Sequence, residues 1–194
     1  MTWAAGPPSA LLVPVPGAAA VREPEPGGLP PHVTILFPFE ASRRIDPAVV
    51  AGLEEALGGF APFGFALTEV RRFEGVLYLA PQPADRFRAL TQACVDRWPR
   101  LQPYAGAYEE VVPHLTLAEG PEPPGLADRA AALLPIRGVA DEVWLMTRRR
   151  GRGWRRRAVV ALRGLAACRR APRGRSPAAG RSSRSRRARR GSGT

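Results

Sequence analysis

The chain has 194 residues, 45% of them hydrophobic, enough for one domain with a substantial core. Its net charge of +12 invites a nucleic-acid reading, but there is no lysine, residues 1–147 hold 11 arginines against all 17 acidic residues, and residues 148–194 hold 18 arginines and no acid. Two histidines and two distant cysteines speak against a disulfide framework and against a zinc site of imidazoles and thiolates, and no apolar run approaches the ~20 residues of a membrane span.

The first 20 residues are small and apolar, but they lack a basic start and are broken by Pro14 and Pro16. A cytoplasmic chain is therefore expected rather than an exported one. Residues 10–15 are β-prone, and their prolines suit an edge strand. Residues 22–31, rich in Pro, Glu and Gly, read as a loop. HVTILF at 32–37 reads as a strand buried on both faces. Asp46-Pro47 is an N-cap followed by proline at the first helical position. Val49, Val50, Leu53 and Leu57 then recur at helical spacing until Gly58-Gly59. FGFALTEV at 63–70 and GVLYLA at 75–80 read as strands. A helix over 84–98 sets Phe87, Leu90, Cys94 and Trp98 on one stripe, with Cys94 as a small buried apolar side chain.

The second half repeats the order: a strand at 114–118, a helix at 125–134, and strands at 139–147 and 154–162. Each half reads strand, helix, strand, strand, which predicts an α+β fold of two related lobes. Beyond Leu165 the chain has few large apolar residues and dense like charge. Disorder is expected over 166–194, leaving 1–165 as the folded domain.

Both histidines occur in the same word, Pro-His-apolar-Thr-apolar: PPHVTIL from Pro30 and VPHLTLA from Val112. The chain has only 7 threonines, so finding Thr two residues after both histidines by chance is improbable. Alternate side chains of a strand share a face, so His32 and Thr34 point together, as do His114 and Thr116. If the two strands lie side by side, one pocket gains two imidazoles and two hydroxyls. Phosphodiester cleavage needs one group to take a proton and another to give one. Imidazole serves either role near neutrality, while hydroxyls bind the non-bridging oxygens. A satisfied core histidine explains either motif alone, but not the matched pair. Phe37, Phe39, Tyr78, Tyr104 and Tyr108 are candidates for stacking a base, with core packing the better account of Phe37 and Tyr78. Glu109 and Glu110, which could orient an imidazole, and Arg71 and Arg72, which could reach a phosphate, are assigned to the surface.

At these words the sequence resembles the two-histidine phosphoesterase superfamily, in particular its 2′-5′ RNA ligase-like branch. The resemblance extends through LLVPVP, FEGVLYLAP and DEVWLM and covers roughly residues 10–162. It implies a bilobal α+β fold with antiparallel sheets flanking a central cleft. It also implies metal-independent opening of a 2′,3′-cyclic phosphate on RNA or a nucleotide, with no cofactor and with some members running the reaction in reverse as 2′-5′ ligases. The roles it implies are His32 and His114 as the catalytic pair, Thr34 and Thr116 on the phosphate, and His114 as base with His32 as acid. Pseudo-symmetry leaves those last two roles interchangeable. A monomer is expected. The arginine tail and the Arg-loaded GWRRRAVVAL depart from the family pattern, and the tail would hold polyanions non-specifically. The competing reading is a non-catalytic nucleic-acid-binding protein that works through that tail.

Overall fold

Short apolar runs punctuated by Gly and Pro form eight strands and three helices in a computed structural model, which describes residues 8–22, 26–73, 75–107, 111–149 and 152–164. In chain order these are β1 (Ser9–Pro14), β2 (His32–Leu36), α1 (Pro47–Leu57), β3 (Phe63–Phe73), β4 (Val76–Gln82), α2 (Ala84–Arg97), β5 (Leu115–Glu119), α3 (Leu126–Ala132), β6 (Ile136–Ala140), β7 (Glu142–Arg149) and β8 (Gly153–Ala161). They build two four-stranded antiparallel sheets, ordered β2-β1-β7-β8 and β5-β4-β3-β6. The α+β, two-lobed architecture is thus as expected. The tail 166–194, Cys168 and Tyr108 through Glu110 lie outside the described residues. Among the described residues no helix is long and apolar enough to cross a membrane.

Helix α1 starts where its cap is written: an Asp46 carboxylate oxygen accepts from Val49 N at 2.9 Å, and Pro47 occupies the first turn. Its buried Leu53 and Leu57 meet α2, whose Phe87, Leu90 and Cys94 form the expected stripe. The core is continuous. Phe87 packs edge-on against Phe63 and Phe65 of β3, while α2 also covers β2 and α1 covers β8. Burial pushes the Cys94 thiol up to about 12, so it is an inert core side chain.

Two expectations are corrected. Strand β1 is interior, between β2 and β7, rather than an edge. Pro14 is tolerated because it is the last residue of the strand, where a missing donor disturbs little of the ladder. The single strand expected over 139–147 is two strands in different sheets, with Asp141 between them. The burial phase slips there: Ile136 and Ala140 are buried on even positions, Val143 and Leu145 on odd ones.

The topology puts both motif strands at sheet edges, and β2 and β5 approach each other there. Each edge is tied by a side chain. Thr91 of α2 donates to Ile35 O on β2 at 2.8 Å, and Arg22 Nη1 donates to Thr116 O on β5 at 2.7 Å.

Candidate active site

Each histidine follows a proline, and proline drives the residue before it towards extended backbone. In both motifs the carbonyl two residues before the histidine meets its ring. His32 Nδ1 donates to Pro30 O at 2.6 Å, and His114 Nδ1 donates to Val112 O at 2.7 Å. A carbonyl only accepts, so Nδ1 carries the hydrogen in each ring and the neutral Nε2 keeps its lone pair. Two segments 82 residues apart thus present the same tautomer by the same backbone device.

Thr34 stands two residues beyond His32 on β2, opposite Leu12 of β1, and Thr116 stands opposite Tyr78 of β4. His114 immediately precedes β5 rather than opening it. All four motif side chains are half-buried. The imidazoles are near enough to sense each other: burial pushes His32 down to about 4, the Pro30 carbonyl opposes this, and the Arg22 guanidinium and His114 push it lower still. Burial also lowers His114, but the Val112 carbonyl and the Glu119 carboxylate work against it. A carboxylate therefore favours the charged form of His114, while a guanidinium disfavours that of His32. His114 takes a proton more readily.

His114 also sits among aromatic rings. Phe73 and Tyr78 meet it edge-on at 5.1 and 5.4 Å, and Tyr104 lies nearly parallel to it at 6.4 Å with an 18° interplanar angle. Tyr104 and Ala105 adopt left-handed φ values of 51° and 57°, uncommon for residues with a Cβ. Tyr104 N donates to Phe37 O at 2.6 Å, which joins this turn to the end of β2. Tyr78, expected as a packing residue, packs on the catalytic candidate itself. Arg71 and Arg72 pair with Glu69 and Glu122 at 2.6 and 3.0 Å and stay at the surface, as expected.

Arg22 was hidden from sequence reasoning, because it lies two residues beyond a short 3-10 turn, at the start of a segment that reads as loop. With Thr116, Glu119 and Leu126 it lines a cavity of about 550 Å³ whose lining includes neither histidine. Among the described residues no group of three or more His, Cys, Asp or Glu side chains could hold a metal ion.

The family model for the 2′-5′ RNA ligase superfamily matches residues 7–152. Solved structures share the fold. TT0787 of Thermus thermophilus superposes with a TM-score of 0.59 at 19% identity, covering 81% of this chain and 99% of its own. LigT of E. coli, solved with 3′-AMP, gives 0.52 at 18% identity over 80% of this chain and 98% of its own. A structure described as a phosphoesterase gives 0.50 at 18% identity, with the same coverage of 80% and 98%. None of the curated proteins matches the chain.

Proposed function

The chain belongs to the 2′-5′ RNA ligase superfamily, and from that premise we propose that it is a metal-independent phosphodiesterase that opens 2′,3′-cyclic phosphates. The observation that carries the reading is the duplicated carbonyl lock, which leaves Nε2 of His32 and His114 as the ring nitrogens for proton transfer. A water attacks phosphorus and loses its proton to one Nε2. The bond from phosphorus to a ribose oxygen breaks, and that oxygen receives a proton from the other imidazolium, leaving a phosphomonoester. Thr34 and Thr116 donate to the non-bridging oxygens as charge builds on them. A 5′-hydroxyl in place of water forms a 2′-5′ linkage by the same transfers. The complex of E. coli LigT with 3′-AMP supports a nucleotide as the occupant of the cleft.

The proton affinities favour His32 as base and His114 as acid, the reverse of what the family resemblance implies. Chemistry by either assignment needs no metal. The test is a panel of 2′,3′-cyclic nucleotides and RNAs ending in a cyclic phosphate, assayed with and without EDTA. Phosphomonoester formation unchanged by EDTA is expected; loss of turnover on chelation refutes the mechanism.

A further inference from the structure

Residues 148–157 carry seven arginines and no acid. Several arginines elsewhere are matched by acids: Arg44 and Arg100 with Glu40, Arg71 with Glu69, Arg72 with Glu122, Arg97 with Glu55. Among the described residues, none of the ion pairs involves Arg148, Arg155, Arg156 or Arg157, all of which are exposed. Like charges held together on two paired strands repel one another unless a polyanion lies against them.

Strand register says where some of them point. Leu12 lies opposite both Thr34 of β2 and Trp144 of β7. Trp144, Met146 and Arg148 alternate along that face, and Arg156 and Trp154 of β8 lie opposite Met146 and Arg148. Thr34, Trp144, Arg156, Arg148 and Trp154 therefore share the face of the sheet that bears His32. Arg156 stacks over the Trp144 ring at 4.4 Å, and Trp154 meets Phe37, one residue beyond β2, at 6.2 Å. The hairpin is also seated on the approach to the first motif. Trp154 N donates to Gly27 O at 2.8 Å, and a Cβ on Gly153 would lie 2.3 Å from that carbonyl oxygen.

We propose that this face of β7 and β8 is a track for single-stranded RNA, holding the nucleotides that precede a terminal cyclic phosphate bound at His32 and His114. The inference rests on the phosphodiesterase reading and extends it to an oligonucleotide substrate. A guanidinium stacked on an indole keeps its N–H edge for a phosphate, and indole faces stack bases with little regard to sequence. Arginine and tryptophan side by side on this sheet face, one strand removed from the motif strand, suit both parts of a single strand.

The test compares kcat/KM of the full chain for a 2′,3′-cyclic mononucleotide with that for a five-nucleotide RNA ending in the same group. The oligonucleotide should be preferred at least tenfold. Trp154→Ala, and separately the exposed pair Arg148→Ala and Arg156→Ala, should reduce kcat/KM for the oligonucleotide about tenfold or more through KM, with the mononucleotide within about twofold. Equal losses on both substrates, or no loss on the oligonucleotide in the arginine variant, overturn the track. A second readout does not depend on turnover: an RNA with 4-thiouridine next to its 3′ end is cross-linked to the full chain and the adduct is mapped. Adducts at Trp144, Trp154 or their neighbours support the track, and adducts confined to residues 165–194 refute it. A protein that opens neither substrate contradicts the phosphodiesterase reading, while the cross-link still decides the track.

Discussion

His114→Ala should be rescued by a substrate whose leaving group departs without a proton, whereas His32→Ala should not. With His32 held down to about 4, roughly one ring in a thousand carries a proton at pH 7. Using His32 as the acid would therefore cost about 4 kcal/mol before any bond breaks. Burial lowers His114 as well, but the Val112 carbonyl and the Glu119 carboxylate oppose that shift and favour its charged form. Each alanine variant should lose about 10²- to 10⁴-fold on a 2′,3′-cyclic nucleotide, the usual contribution of a positioned acid or base. On a nucleoside p-nitrophenyl phosphate, nitrophenolate leaves unaided, so most of the His114→Ala loss should vanish while the His32→Ala loss persists. Initial rates at pH 7, read as nitrophenolate released, decide it. Rescue of His32→Ala instead would return the roles to those of the family resemblance, and rescue of both or neither would refute the division into acid and base.

The working state holds one proton on the pair, so kcat/KM on a cyclic nucleotide should rise through about pH 4 and fall at a second limb below 6.5. An acid limb at 6 or above in initial rates at constant ionic strength would contradict the burial of His32. Thr34→Val and Thr116→Val should each lower kcat by about 10²- to 10³-fold, as loss of one donor to a developing oxyanion does. Unchanged steady-state rates would remove them from the phosphate. Thr91→Val strips the hydroxyl from the buried Ile35 carbonyl and should destabilise by about 1–3 kcal/mol, a fall of several degrees in thermal midpoint. A midpoint within a degree would show that this bond holds no load at the β2 edge.

The motif pairs, the Asp46 cap and the α2 stripe were legible because each is a local pattern with a local cause. Thr follows His on a strand face, a carboxylate accepts from a first-turn amide, and apolar residues recur every turn. The carbonyl locks left a readable trace as well, since the proline before each histidine biases the backbone that supplies the acceptor. What stayed hidden depends on partners far away in sequence. Nothing around Arg22 announces that its guanidinium ends on Thr116, 94 residues on. The interior place of β1 follows from β7, which the chain reaches only after five other strands and three helices. The break at Asp141 was visible in principle, as the slip from even to odd buried positions, but an unbroken β-prone run masks a strand that changes sheet.

Among the described strands, one sheet is built from the first two and the last two, and this orders events on the ribosome. A nascent chain that has emerged as far as Ala140 holds every strand of the β5-β4-β3-β6 sheet, yet β1 and β2 remain a two-stranded ribbon with one side of β1 open. Such ribbons are marginal in water. The first motif therefore waits for β7 before its strand is locked. A message truncated between Ala140 and Glu142 yields a protein with both histidines and only one finished sheet, a candidate for chaperones rather than for catalysis.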